Sequence, residues 1–261
     1  MKLLALIIAY LISHVIPKPQ RFRNFSWYKS WMAWFDSKVG IKNKEITILV
    51  TIAIPVIIFC MAINGLVYSQ VGSLIVAVLV LSYCIGPESL EEDVESSEMH
   101  TKLGIPKNAG IPLLIKRLTQ VSLHRWFGII FWYMVLGIAG ALIYRLSERH
   151  NAMTQDGHEN KLITAKLMQI LNYPVAWMMV ISMAIASDFE RIYKKCKPSM
   201  NFDNMKKLDD TFLYEAADFA VEICEVEEGD EKSIEQVTLN VLIRMLMVWL
   251  VFVSILVIFA N

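Results

Sequence analysis

The chain has 261 residues, and its 25 basic and 25 acidic side chains give a formal net charge of zero at pH 7. Hydrophobic residues make up 56% of the chain and its mean hydropathy is +0.46, whereas a typical soluble domain is about 45–50% apolar. The balanced charge gives no reason to expect a nucleic acid partner. The apolar residues stand in long runs, which predicts an all-α integral membrane protein.

The apolar runs predict the helices. A helix needs about 20 apolar residues to cross the hydrocarbon core, where unpaired backbone groups are not tolerated. We therefore predict a single membrane domain, 1–261, with about six transmembrane or embedded helices, at about 2–16, 46–68, 71–85, 127–144, 167–186 and 237–260. The first and fifth of these either cross the bilayer or lie partly embedded, since one is short and the other contains polar residues.

Lysine and arginine mark the cytoplasmic side of a membrane protein. Segments 17–44 and 188–236 carry seven basic residues each, and the turn 69–73 carries none. Both basic segments should therefore be cytoplasmic, and the turn should face the opposite side. If all six apolar segments cross, segment 86–126 is cytoplasmic too, and segment 147–163 faces the other side.

An amphipathic helix is predicted at 25–39, between the first two apolar segments. Aromatic and apolar residues occupy one helical face, polar residues occupy the other, and basic residues flank the segment. This pattern is typical of a helix that lies in the membrane interface. Trp27, Trp31 and Trp34 are its expected anchors, with membrane lipid as the partner. A sharper alternative is that this helix lines a substrate entrance.

Charged residues in the apolar segments are candidate ligand contacts, because inserting a charge at the centre of a membrane helix costs about 2.5–3.5 kcal/mol. Arg145 closes the 127–144 segment, and Arg244 lies near the start of the last one. Each could bind an anionic ligand or anchor its helix to anionic lipid. Small residues in the 127–144 segment, Gly137, Gly140 and Ala141, predict close packing against a neighbouring helix.

The sequence contains none of the common catalytic or cofactor signatures. Phosphate-binding loops, dinucleotide fingerprints, zinc-protease motifs and nucleophile elbows are missing, and no CxxC pair occurs. The polar run from Glu148 to Glu159 matches no metal-ligand spacing and is interpreted as a solvated loop. We therefore predict no metal, no cofactor and, on balance, no standard enzymatic activity.

The string FGIIFWYMVLGIAGALIYRL, residues 127–146, resembles the AmpE family within the wider AmpE/CbiB group of bacterial inner-membrane proteins. Phe131, Trp132, Gly140 and Tyr144 are among the matching residues. Tyr83 to Pro87, the early tryptophan segment and Asp188-Phe189 are similar as well, so the resemblance extends over most of the chain. It implies a multi-pass inner-membrane protein linked to β-lactamase regulation and peptidoglycan-recycling signals.

The CbiB branch of this group joins an amino-alcohol phosphate to a corrinoid carboxylate. Gln120, His124 and Arg125 stand where the resemblance places substrate-facing groups, but the acids and amides of the CbiB pattern are missing on both sides of the matched string. This departure favours an AmpE-like sensor that binds an anionic small molecule or a regulatory protein. A membrane-embedded transferase or ligase with an altered pocket, and a small-molecule transporter, stay open as alternatives.

Overall fold

The computed structural model describes residues 2–15, 25–39, 43–67, 69–85, 94, 101, 103–106, 109–155, 159–197, 207–228 and 233–259. Within these ranges the secondary structure is helical, without strands. The helices are α1 Lys2–Val15, α2 Ser26–Lys38, α3 Lys44–Val67, α4 Gln70–Cys84, α5 Ile111–Ser122, α6 Gly128–Met153, α7 Glu159–Ala186, α8 Phe189–Cys196, α9 Thr211–Glu228 and α10 Ile234–Phe259. Much of the predicted cytoplasmic segment 86–126 before residue 109 lies outside the described residues.

All six predicted apolar segments are helical in their described parts, and the interfacial segment forms α2. Within the described residues, four helical stretches are long and apolar enough to cross a membrane: residues 44–65, 111–153, 160–186 and 234–252. Helix α4 is apolar but shorter, at 15 residues. The chain is therefore an all-α protein with several candidate membrane-spanning helices. The chain divides into two compact units, Met1–Pro87 with Gly128–Leu171, and Glu88–Phe127 with Asn172–Asn261.

Helix α6 reverses its direction at Gly137. The backbone there has φ 67° and ψ −149°, a conformation open almost only to glycine. In a straight helix, Gly128 and Tyr144 would lie about 24 Å apart, yet a methyl group on Gly128 would collide with the Tyr144 ring. A methyl group on Gly140 would likewise collide with the main chain of Trp132. Residues 128–136 and 138–153 are therefore two antiparallel arms of a helical hairpin.

The reversal at Gly137 divides the span predicted at 127–144 into two arms. The first arm, residues 128–136, continues the helical stretch that begins at Ile111. Its last carbonyls have no partner in their own helix, and Lys2 Nζ donates to one of them, the Met134 oxygen, at 3.1 Å. Gly137 accordingly makes a turn, and is not a packing position on one face of a straight helix.

The hairpin also changes the expected topology of the first unit. The hydroxyl of Tyr28 in α2 is hydrogen-bonded to Nδ1 of His150 at 3.0 Å. Segments 17–44 and 147–163 were expected on opposite sides of the membrane, but their described residues meet, which favours one side for both. The physical reason is the reversal at Gly137, which returns the chain to the end of the unit that carries α2.

Helix α2 packs on its predicted apolar face. Phe25, Tyr28 and Phe35 are buried, and the core beneath the first two includes Ile48 and Leu146. Trp27 and Trp34 stay 45% and 51% exposed. In the second unit, α9 packs against α5, α8 and α10.

Candidate functional site

A π-helical turn, Leu123–Phe127, precedes α6 and carries two of the predicted site residues. Such turns insert an extra residue into a helix and occur often at functional sites. Here Leu123 and Phe127 are buried, whereas His124 and Arg125 are half-buried. The turn thus places two polar side chains between buried apolar ones.

His124 faces Asn172 of α7, with 3.1 Å between Nε2 and the amide nitrogen Nδ2. An amide nitrogen only donates, so with the amide oriented in this way the ring nitrogen Nε2 accepts and a neutral imidazole carries its proton on Nδ1. Asn172 is 6% exposed. A buried amide needs polar partners, and His124 supplies one of them.

Asp210, just before α9, completes a polar cluster with His124 and Asn172. Burial is the main influence on this carboxyl group and raises the pKa of Asp210. The hydroxyl of Tyr214 donates to its Oδ2 at 3.2 Å, and His124 lies near enough to favour its charged form. Burial and the neighbouring Asp210 charge raise the pKa of Tyr214, so that hydroxyl stays a donor. We call His124, Asn172, Asp210 and Tyr214 the His124 cluster.

Exposed basic residues border this cluster. The Nζ of Lys116 lies 5.0 Å from the centre of the Tyr214 ring, a cation–π distance. Arg117 donates to the side-chain oxygen of Gln120 at 3.0 Å. Hydrogen bonds from the hydroxyl and backbone N–H of Thr211 lower the pKa of Asp209, and the nearby charge of Lys116 also lowers it. The cluster therefore combines a half-buried carboxyl group, whose pKa is raised, with a basic rim.

The predicted ligand residues are divided between the two units. Gln120, His124, Arg125 and Arg244 lie in the second unit, and Arg145 lies in the first. Of these, His124 is part of the cluster, and Gln120 is held at its rim by Arg117. Arg244 is exposed and donates to Sγ of Cys224 at 3.5 Å.

Asp188 and Glu190, two acidic residues just after the end of α7, are each paired within their own helical segment. Asp188 is 3.2 Å from Arg191, and Glu190 is 2.6 Å from Lys194. Asp188 also caps α8, because its carboxylate accepts from the Arg191 backbone N–H at 3.0 Å.

Arg145 is among the most deeply buried side chains of the protein, at 2% exposure. Its guanidinium lies 3.1 Å from Glu148 and 5.6 Å from the centre of the Phe25 ring. Arg149 lies 3.3 Å from the same carboxylate oxygen and 5.2 Å from the same ring. These contacts fix the beginning of α2 on the second arm of the hairpin.

The three predicted tryptophan anchors also make contacts within the protein. Trp27 donates to the hydroxyl of Tyr83 at 2.9 Å, and Trp31 donates to the carbonyl of Thr51 at 3.0 Å. The ring of Trp34 stacks on that of Trp31, with 5.2 Å between centroids. Their position at headgroup depth stays a prediction.

Sequence reasoning missed Asn172, Asp210 and Tyr214 as site residues. Asn172 gave a signal, because it is an amide inside an apolar segment and such residues are costly to embed. Asp210 gave none, since it is one acid among many in a charged segment. These residues come from elements that are distant in sequence, with 48 positions between His124 and Asn172.

Among the described residues, no three His, Cys, Asp or Glu side chains are grouped so that they could hold a metal ion. Comparison with known proteins gives no match to a protein-family model, a curated protein or a solved structure.

Proposed function

We propose that this chain is a multi-pass protein of the bacterial inner membrane with an AmpE-like regulatory or sensory role in β-lactamase induction and cell-wall recycling signals. It acts by binding, without a standard enzymatic reaction. Helices α1, α3, α4, α6, α7 and α10 form its set of about six embedded helices, with the α6 hairpin entering and leaving on one side. The resemblance of residues 127–146 motivates the family, and the His124 cluster motivates the binding role.

The observation that carries this proposal is the connection among elements made by the His124 cluster. Its residues come from the π-helical turn, α7, and the start of α9. A ligand that pairs with Lys116 or Arg117 and engages His124 would compete with Asn172 and Asp210 for the imidazole. Such competition would alter how α9 is held and so transmit binding to the predicted cytoplasmic layer. The basic rim suits an anionic small molecule; an acidic surface of a regulatory protein is the other candidate.

The test uses a host with an inducible chromosomal β-lactamase that lacks its own AmpE-type protein. Expression of this chain should restore the wild-type induction response to a β-lactam, measured as β-lactamase activity with and without inducer. His124→Ala and Asn172→Leu should remove the restored response at equal membrane levels. Gln169→Leu is the matched control, because Gln169 is an exposed amide on the same helix. Wild-type induction in both cluster variants would refute the binding role.

One observation favours a second candidate, a CbiB-like transferase or ligase. The half-buried Asp210 and the nearby His124 could exchange a proton, as an acid–base pair does. Expression in a strain that depends on CbiB for cobalamin synthesis would decide this. Growth rescued by the wild-type chain and lost with Asp210→Asn would replace the regulatory proposal, whereas the regulatory proposal expects no rescue.

A further inference from the structure

The first compact unit contains an apolar groove bounded by α2, α3, α4 and the second arm of α6. Its volume is about 470 Å³, within the range of about 300–1,000 Å³ for small-molecule sites. Pro55, Phe59 and Ile63 line one wall, and Val76, Leu79 and Leu142 are among the other lining residues. These side chains offer no polar group, so the groove suits a hydrocarbon chain.

One end of the groove is polar and aromatic. Trp27, Tyr83 and Leu146 line that end, and Trp27 donates to the Tyr83 hydroxyl at 2.9 Å. The Phe25 ring lies 4.8 Å from the Tyr83 ring, and the guanidinium of Arg149 lies 5.2 Å from the Phe25 centroid. A cation therefore stands one aromatic ring away from the end of the groove. Aromatic residues beside a basic residue are typical of the level where lipid headgroups lie.

The charge at this end suits an anion. One oxygen of Glu148 accepts from Arg145 at 3.1 Å and lies 3.3 Å from Nε of Arg149. Arg149 keeps 32% of its side chain exposed, and no other carboxylate of the described residues contacts it. The outer nitrogens of its guanidinium can therefore donate to a further anion. The planar fork of arginine fits phosphate oxygens particularly well.

We propose that the groove binds one acyl chain of an anionic phospholipid, with the lipid phosphate held by Arg149. The apolar walls contact the acyl chain of the lipid, and the arginine gives the site its preference for an anionic headgroup over a zwitterionic one. This site goes beyond the proposed regulatory role and is formed entirely by residues of the first unit. It turns the expected general contact with membrane lipid into a specific site.

The test measures the lipid retained by the full chain. The purified protein is placed in nanodiscs of phosphatidylcholine with a minor share of phosphatidylglycerol, and then extracted into mild detergent. Mass spectrometry of the bound lipid gives the enrichment of phosphatidylglycerol. Arg149→Gln should reduce this enrichment about fivefold, the effect expected from one basic residue at an anionic headgroup. Arg191→Gln is the matched control, because Arg191 likewise pairs with a carboxylate close to it in sequence, Asp188, at 3.2 Å.

A second pair of variants tests the groove. Leu79 is 64% exposed and lines it, so Leu79→Trp should fill the groove, leave the arginine intact and release the lipid. Leu162→Trp, at a residue that is 76% exposed on α7, should retain it. Equal enrichment in Arg149→Gln and Arg191→Gln, or undiminished retention in Leu79→Trp, would overturn the proposal. Displacement of the lipid by inorganic phosphate alone would also overturn it, since the groove would then contribute nothing. If Arg149→Gln does not fold, Leu79→Trp decides.

Discussion

Replacing Gly140 with alanine should destabilise the α6 hairpin. The new methyl group would overlap the main chain of Trp132 on the opposite arm, and a main-chain carbonyl cannot rotate away as a flexible side chain can. The arms would have to separate, and forced overpacking of this kind typically costs about 1–3 kcal/mol. Gly65→Ala is the control, because a methyl group on Gly65 in α3 meets nothing within 4 Å.

Gly137→Ala should produce a loss of similar size for a different reason. It places a side chain on a backbone with φ 67° and ψ −149°, and non-glycine residues in such regions cost about 1–3 kcal/mol. The two losses should not add fully, because both residues belong to one hairpin. Gly65→Ala should be neutral or should gain up to about 1 kcal/mol from helix propensity.

The assay follows thermal unfolding in detergent through Cys84, a buried free thiol that packs in the same compact unit. The other three cysteines are changed to serine, and a maleimide dye reports when Cys84 becomes accessible. Each kcal/mol lost should lower Tm by about 2–4 °C in a chain of this size. If Gly140→Ala and Gly137→Ala unfold at the temperature of Gly65→Ala, the arms do not pack through these glycines and the reversal is refuted.

Two further predictions concern topology and pH. In intact cells, Ser37→Cys and Ala152→Cys should react with an impermeant thiol reagent from the same side of the membrane, and Ser69→Cys should react from the other side. Labelling of the first two variants from opposite sides would contradict the reversal of α6. Burial raises the pKa of Asp210 in the folded protein. The protonated carboxyl group therefore stabilises the fold at acidic pH, and this stabilisation is lost as the pH rises through the folded-state pKa. Asp210→Asn should therefore raise Tm at neutral pH, with a gain that disappears below about pH 4; Asp209→Asn should lower Tm at neutral pH, because hydrogen bonds lower the pKa of Asp209. Equal pH profiles of the two variants would contradict this assignment.

The sequence alone located the helices well, because length and periodicity of apolar residues are local properties. The interfacial helix was predicted at 25–39 and begins and ends at Ser26 and Lys38. The segments predicted at 46–68 and 71–85 are the helices Lys44–Val67 and Gln70–Cys84. Buried backbone groups must be paired inside a membrane, and an apolar run of this length has almost no other way to pair them than as a helix.

The tertiary structure decided what those helices do. A glycine in an apolar segment can allow close packing or permit a turn, and the tertiary contacts of Gly128 with Tyr144 and of Gly140 with Trp132 show that Gly137 turns the chain back. Charged residues are equally ambiguous from sequence: Arg145 proved to be buried against Glu148, and His124 gained its partner from 48 positions away. The apolar pattern fixes how much of each residue must leave water but not which residues meet, because hydrophobic burial is non-directional. Hydrogen bonds, ion pairs and the backbone reversal at Gly137 decide which residues meet.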